Sequence, residues 1–252
     1  MKTLRILLAL LFPAILFAQV PKPISTPPKK IEDNFFNDTL FEKDNSDPQL
    51  IHLTIRNPKG VLVSQGSMKT NKKEGVWREY SPAGLITVLE EYKNGQKNGS
   101  SLKFGPSNQI TIDATYKNDT LNGQKTTYGN NAKIRTVEFY KQGVLHGNRK
   151  AYYEDGKLQE DCIYKNGKKD GKAVWYLQSG QPSVEYNYTD GILNGYSKEY
   201  NSKGAILREG NFKNDNEDGE WIMYEDSNVT KKVIYKSGEI IKSSVVAPAK
   251  AK

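Results

Sequence analysis

The stretch GVWREYSPAGLITVLEEYKNGQKN, residues 75–98, decides the fold of this chain. It begins with a β-prone run, Val76 to Tyr80, and continues into Ser81-Pro82-Ala83-Gly84. Pro at the second position and Gly at the fourth favour a type I turn there. A second β-prone run, Leu85 to Tyr92, ends at another turn, Lys93-Asn94-Gly95. Because Asn tolerates the left-handed backbone conformation and Gly adopts it without steric strain, the stretch predicts a β-hairpin.

This unit recurs every 24 residues, with an aromatic residue five positions after its first glycine and a second aromatic near its end. The glycines are Gly75, Gly99, Gly123, Gly147, Gly171, Gly195 and Gly219. The first aromatic column is Tyr80, Phe104, Tyr128, Tyr152, Tyr176, Tyr200 and Tyr224, and the second is Tyr92, Tyr116, Tyr140, Tyr164, Tyr188, Phe212 and, one residue early, Tyr235. Self-similarity of this length indicates a repeat architecture. We therefore predict an all-β chain: an elongated single-layer antiparallel sheet of tandem 24-residue β-hairpins.

The flanking segments divide the chain into four parts. We expect residues 1–18 to be a signal peptide, residues 19–49 a Pro-rich linker and N-terminal cap, and residues 50–240 the hairpin array. Residues 241–252 are expected to be a disordered tail. The array begins with a degenerate hairpin, as expected at the end of a stacked repeat.

The first residues predict export. Lys2 and Arg5 precede an apolar run, Ile6 to Phe17, which ends near the small residue Ala18. This order is typical of a secretory signal peptide, and the run is shorter than the ~20 residues of a spanning helix. An uncleaved membrane anchor is the alternative. Export would place the mature chain in the periplasm, on the outer surface or in the medium.

Strand periodicity predicts two unlike faces. In the second strand, Ile86 and Val88 should share a semi-apolar face with Tyr92, whereas Thr87 and Glu91 should face solvent. Three tryptophans are expected on the face of the sheet opposite the first aromatic column. If that face is exposed to solvent, their rings would stack on sugars or anchor a partner. Alternatively, they fill gaps where the sheet coils. The three are Trp77, Trp175 and Trp221.

Lysines recur in one turn column and form a second candidate binding set. A row of ammonium groups along one edge would suit anionic lipid. The alternative, which the pattern favours, is that these are solvated turn lysines. The members are Lys93, Lys117, Lys141, Lys165 and Lys213.

Composition and residue types point away from catalysis. The mean hydropathy is −0.71 and the formal charge is +8, or +6 without Lys2 and Arg5. Basic residues are scattered among acidic ones, so the clustered stripe of a nucleic-acid binder is not predicted. A single cysteine, Cys162, excludes an intrachain disulfide, and the two histidines, His52 and His146, have no partners at metal-ligand spacing. We predict no enzyme, no metal and no cofactor.

The unit Tyr-Lys-Asn-Gly-x-x-x-Gly-x-x-x-x-Tyr-x-x-x-Gly resembles the MORN repeat, and more closely its bacterial variant in YwqK-family antitoxins. Tyr164 to Gly180 and Tyr188 to Gly204 carry this pattern, whereas Asp119 and Asp215 replace a turn glycine. The resemblance spans about residues 57–240. It implies elongated hairpin arrays that contact proteins or lipids, without enzymatic activity.

Two classes of function follow. The first is an exported, non-catalytic binding or scaffolding module of the cell envelope, whose partner is a protein or, alternatively, anionic lipid or wall glycan. The second is an envelope enzyme acting on glycans, which would need a cleft with clustered carboxylates. An antitoxin-like role is implied by the family label alone.

Overall fold

The computed structural model describes residues 38–129, 131–225 and 228–246. The predicted signal peptide, the linker to residue 37 and the last six residues lie outside this range. Within it the chain is all-β, and its strands form one antiparallel sheet that is not closed, which confirms the predicted class of fold. The strands are β1 (Asp38–Lys43), β2 (Leu50–Arg56), β3 (Leu62–Lys69), β4 (Lys72–Tyr80), β5 (Ile86–Lys93), β6 (Gln96–Phe104), β7 (Ile110–Lys117), β8 (Thr120–Tyr128), β9 (Ile134–Lys141), β10 (Val144–Leu145), β11 (Gly147–Tyr152), β12 (Leu158–Lys165), β13 (Lys168–Tyr176), β14 (Pro182–Thr189), β15 (Ile192–Leu193), β16 (Gly195–Tyr200), β17 (Ile206–Lys213), β18 (Asn216–Glu225), β19 (Asn228–Lys236) and β20 (Glu239–Val245).

Each strand pairs only with its neighbours in sequence, once β10 and β11, and likewise β15 and β16, are counted as one interrupted strand. The short strands β10 and β15 continue into β11 and β16 after one intervening residue, so each pair occupies one position in the sheet. The sheet is therefore a row of eight hairpins, from β2–β3 to β18–β19. One further strand flanks the row at each end, β1 beside β2 and β20 beside β19.

Different turns line the two edges of the sheet. At one edge, two-residue turns place both central residues in the left-handed region, as Asn94 (φ 52°) and Gly95 (φ 85°) do. These are the type I′ values that match the twist of paired strands. At the other edge, the Gly84 N–H donates to the Ser81 carbonyl at 2.9 Å, and the Ser81 N–H donates to the Leu85 carbonyl at 2.8 Å. This is the predicted type I turn followed by a left-handed glycine.

A β-bulge near the second edge changes which residues share a face. Tyr80 pairs with Ile86, but Glu79 pairs with Val88, so Thr87 is the extra residue. Ile86 therefore lies on the face of Tyr80, and the prediction that it shares a face with Tyr92 is wrong, because one extra residue reverses strand alternation. We call the face that carries Tyr92 and its equivalents the ladder face. The other is the lysine face, since Lys93 and its equivalents lie there.

Most buried side chains belong to one row that crosses the ladder face, which we call the central row. Trp77 pairs with Glu90, Glu90 with Ser101, and Ser101 with Ala114, and all four are buried. Near the C-terminus the row includes Trp221 and Val233, which are 0% and 1% exposed. Large side chains lie beside small residues of neighbouring strands at several points, as Trp221 lies beside Gly210, so neighbouring strands fill one another's space. A single layer of sheet obtains its core in this way.

The last strand extends beyond the expected end of the array. β20 reaches Val245, five residues past the predicted boundary at 240, and it pairs with β19 along its length. At the other end β1 lies inside the predicted cap, where Phe41 pairs with Leu53 of β2.

Candidate binding surface

The five predicted lysines occupy equivalent positions along one edge. Each is the last residue of its strand before a two-residue turn, and each is exposed. Equivalent strands are two apart, so neighbouring lysines from Lys93 to Lys165 are about 10 Å from each other. Thr189 replaces the lysine at the end of β14, so Lys165 and Lys213 are about 20 Å apart. Within the described residues no ion pair involves any of the five. The strands that end in them are β5 (Lys93), β7 (Lys117), β9 (Lys141), β12 (Lys165) and β17 (Lys213).

Hydrogen bonds between successive turns fix this spacing. The Gly143 N–H donates to the Leu121 carbonyl at 2.8 Å, and the Gly167 N–H donates to the Leu145 carbonyl at 2.9 Å. Equivalent bonds from turn to preceding hairpin recur along the edge. Because each turn is bonded to its predecessor, the lysine backbones are held by the sheet and only their side chains are free to adapt.

A side-chain acceptor before the repeat glycine strengthens this edge. The amide N–H of Gln142 donates to Asn122 Oδ1 at 3.3 Å, and that of Asn166 lies 3.4 Å from His146 Nδ1. The equivalent Asp170 accepts from the Asp190 N–H at 3.1 Å. The column that holds His146 therefore supplies hydrogen-bond acceptors to the next turn, and His146 serves the architecture.

Two exposed apolar side chains lie beside the lysines in the middle of the array. Phe139 and Ile163 are 38% and 43% exposed, although each belongs to a strand of the sheet. Each precedes a lysine by two residues, so Phe139 lies on the same face as Lys141, and Ile163 on the same face as Lys165. Asn148 pairs with Ile163 between the two strands. We call these five residues the central strip.

The sequence reasoning missed the apolar half of the central strip, although a signal was present. The column holds Glu91, Thr115, Asn187 and Asn211 in other hairpins, and it was assigned to the solvent face. Phe and Ile at a solvent-facing position are a departure that the 24-residue alignment displays. Tyr196, which is 46% exposed, pairs with Asn211 further along the lysine face.

The tryptophans do not form an exposed surface. Trp77 and Trp221 are 7% and 0% exposed, so the expectation of accessible rings is wrong for both. They belong to the central row and cover glycines: a Cβ on Gly66 would lie 2.2 Å from Trp77, and one on Gly210 would lie 2.4 Å from Trp221. The alternative interpretation, that these rings fill gaps in the sheet, describes their position.

Trp175 is half-buried and lies in a different row, opposite Val184. The Lys169 ammonium lies 4.2 Å from the centre of its ring, and Tyr186 meets it edge-on at 6.0 Å. Edge-on ring contacts run from Trp175 through Tyr186 and Phe212 to Trp221, so these two indoles belong to one aromatic cluster on the ladder face. Among the described residues, no ring contact joins Trp77 to that cluster.

Charged groups on the ladder face neutralise one another. Arg149 is bound by Glu138, with Nε 3.2 Å from Oε1, and by Glu160. Burial raises the pKa of the Glu90 carboxyl, but hydrogen bonds from Lys97, Tyr92 and Ser101 outweigh it, so the pKa lies below its usual range. These carboxylates are saturated with donors and do not offer a free acid–base pair.

The one cysteine, Cys162, is buried and hydrogen-bonded. Cys162 is 0% exposed, and its thiol donates to Glu160 Oε1 at 3.1 Å. Burial, with that hydrogen bond, raises the pKa of the thiol to about 12. Since the thiolate is the nucleophile, a thiol with this pKa is inert at neutral pH.

The described part of the chain contains no cluster of three His, Cys, Asp or Glu side chains placed to hold a metal ion. Nor does it contain a helix long and apolar enough to cross a membrane.

Comparison with known families matches one of the hairpins. The model of the MORN repeat variant matches residues 145–166, which run from β10 through β11 and β12 to the next turn. The match supports a MORN-repeat protein. The other hairpins of this MORN-like array repeat the same strand and turn pattern at the same period.

No curated protein matches the chain. Among solved structures, a chain of "Crystal Structure of TcdB2-TccC3-Cdc42" matches at 12% identity with a TM-score of 0.18, over 73% of this chain and 14% of that chain. This chain thus spans about one seventh of that chain's length. A likeness with so low a TM-score carries no argument about function.

Proposed function

We propose that this chain is an exported, non-catalytic MORN-like scaffold of the cell envelope, and that its central strip binds a protein partner. The observation that carries the proposal is the position of Phe139 and Ile163, two exposed apolar side chains held beside Lys141 and Lys165 on one face. Large apolar groups exposed in a row are typical of interaction sites, whereas isolated ones are ordinary.

The chemistry of the central strip defines the partner. Phe139 and Ile163 offer apolar anchors, and anchors near the centre of an interface contribute most to affinity. Lys141 and Lys165 would then contact acidic groups at the rim, where charges raise the association rate and select partners. The partner is therefore a protein surface with apolar side chains bordered by carboxylates.

A sheet bonded from turn to turn also suits this role. The strip residues lie on strands rather than loops, so binding would order only side chains. Binding surfaces that are already ordered lose less entropy on association. Export, which is proposed from the N-terminal sequence alone, would present the strip to partners outside the cytoplasm.

Two alternatives belong to other classes of ligand. The lysine row and the strip together would suit an anionic lipid surface, since apolar side chains beside ammonium groups bind such surfaces. Wall glycan is less well supported, because two of the three tryptophans are buried. The antitoxin-like role rests on the resemblance to the YwqK family.

The test is a crosslinking experiment in the native envelope with a photoreactive residue at position 148, between the two anchors. The variant carries Phe139→Ser and Ile163→Ser. The matched control is Ile234→Ser, which removes a side chain of the same column that is 39% exposed but lies outside the strip. Each substitution removes a partly buried side chain and should cost about 1–2 kcal/mol, and circular dichroism of each variant establishes that it remains folded.

We expect one protein to crosslink to the wild type and to the Ile234→Ser control, and to be lost at least tenfold from the double variant. Crosslinking of the double variant at the wild-type level would refute the proposal that the central strip binds the partner. If the chain is instead retained in lipid or wall fractions and no protein is crosslinked, a protein partner is refuted and the membrane or glycan alternative is supported.

A further inference from the structure

Among the described residues, the sheet begins and ends with a single strand that lacks the other strand of its hairpin. Within every hairpin, a first strand pairs with the second strand that follows it, as β4 pairs with β5. β20 follows β19 in the position of a first strand, and in the described chain it has no second strand. β1 precedes β2 in the position of a second strand, and it has no first strand there. One end of the described sheet therefore lacks a second strand and the other lacks a first strand, so each end has the strand that the other lacks.

We propose that β20 of one copy pairs antiparallel with β1 of a second copy and completes a ninth hairpin across the two chains. This proposal is independent of the function assigned to the central strip. A second copy of this chain suits both edges, because the alternation of first and second strands then continues unbroken from one copy to the next.

The existing pairings set the register of the new pair. Ser243 continues the central row, since it pairs with Val233, and Phe41 begins the row, since it pairs with Leu53. Placing Ser243 opposite Phe41 of the second copy joins the two central rows. In an antiparallel pair, Lys242 then lies opposite Glu42 of the second copy.

Opposite charges therefore meet at the join. Lys242 and Glu42 are both exposed, and neither has an ion pair within the described residues. Facing side chains in antiparallel strands have Cβ atoms about 5 Å apart, so opposite charges there stabilise the pair and like charges oppose it.

The edge strands also carry exposed apolar side chains. Ile240, Ile241 and Val245 are 59%, 60% and 83% exposed, and Leu40 and Phe41 are each 42% exposed. An open strand edge with apolar side chains is a template for pairing with another chain. In the proposed register, Leu40 of the second copy packs against Ser244 and Phe41 against Ser243, beside the apolar side chains of β20.

The geometry limits the strength of the contact. An interface one strand wide is smaller than the ~1,600 Å² typical of stable complexes, so the association should depend on concentration. Because each copy uses two different edges, the contact is heterologous and extends into open chains rather than stopping at a dimer.

Light scattering coupled to size-exclusion chromatography tests the association, with the signal peptide removed. The wild type should increase in mean mass with concentration. Lys242→Glu and Glu42→Lys should each shift the midpoint concentration upward by about tenfold, the size of effect expected for about 1.4 kcal/mol. Restored association in the double charge reversal supports the pairing. A wild type that remains monomeric, or a double reversal that is not restored, overturns it.

A disulfide experiment tests the register. A Ser243→Cys chain mixed with a Phe41→Cys chain should give an intermolecular disulfide on mild oxidation, because the two positions face each other. The native Cys162 is buried and should not compete. Ser243→Cys mixed with Asp38→Cys is the control, since residue 38 lies about 10 Å further along the strand. Equal crosslinking of the two mixtures would show that the register is wrong.

Discussion

Replacing Gly210 with alanine should destabilise the C-terminal hairpins through one contact. The added Cβ would lie 2.4 Å from Cδ2 and 2.5 Å from Cγ of Trp221, far inside the ~3.5–4.0 Å of favourable carbon contact. Trp221 is 0% exposed, and Phe212 and Tyr235 meet its ring edge-on at 5.1 and 6.3 Å. The ring has no space to retreat, so we expect a loss of about 2–3 kcal/mol, the upper part of the range for overpacked cores.

The same methyl group should become harmless when the ring is absent. Trp221→Ala alone should lower the free energy of unfolding by about 3–5 kcal/mol, because it empties a fully buried site. In that background, Gly210→Ala should cost less than about 0.5 kcal/mol, which leaves a coupling energy of about 2 kcal/mol between the two positions.

Urea unfolding followed by circular dichroism measures all four members of this cycle. Native-state hydrogen exchange should show the loss concentrated in β16 to β20, since a repeat array transmits instability mainly to its neighbours. Gly66→Ala, whose Cβ would lie 2.2 Å from Trp77, repeats the test at the other end. An equal effect of Gly210→Ala with and without the indole would refute the reasoning.

Two further predictions concern buried thiol and phenol groups. The Cys162 thiol should react with a thiol reagent at pH 8 only after unfolding; rapid reaction of the native chain would contradict its burial. Burial, assisted by hydrogen bonds to carboxylates, raises the pKa of Tyr140, Tyr186 and Tyr200 to about 12. Unfolded tyrosine ionises near pH 10, so this stabilisation is complete below about pH 10 and is lost as the pH rises towards 12. The free energy of urea unfolding should therefore fall between pH 10 and 12, and absorbance at 295 nm should show no early titration of these phenols.

The hairpin and its period could be predicted because local chemistry specifies them. Asn94-Gly95 encodes a type I′ turn, and Gly84 encodes the left-handed position of the opposite turn, whatever the rest of the chain does. Seven copies in one register then require neighbouring hairpins to pair. Few tertiary contacts are needed to reach that conclusion.

The face of the sheet on which each side chain lies could not be predicted in the same way. Alternation places Ile86 with Tyr92, but the extra residue Thr87 reverses the order within one strand. Bulges depend on how two strands meet, and the sequence of one strand does not display the mismatch.

The tryptophans show a second limit. An indole at a position predicted to face solvent was interpreted as a binding ring, whereas a glycine on the neighbouring strand leaves space that the ring occupies. Gly66 and Gly210 were visible in the sequence, but their significance depends on the cross-strand register. The central strip was missed for a related reason, because the column was classified by its majority and not by Phe139 and Ile163.

Pairing restricted to sequence neighbours has a consequence for how the chain folds. Paired residues within a hairpin are close in sequence: Trp77 and Glu90, for example, are 13 residues apart. The hydrogen bonds from each turn to the preceding hairpin join residues 22 apart, such as Gly95 and Lys73. All-β proteins usually fold slowly because they must close long loops. In the described part of the chain, every strand pairs with a strand that is close in sequence. Each completed hairpin also presents the carbonyl groups to which the following turn donates. The array can therefore fold in order from its N-terminal end, one hairpin at a time, at a rate set by local loop closure.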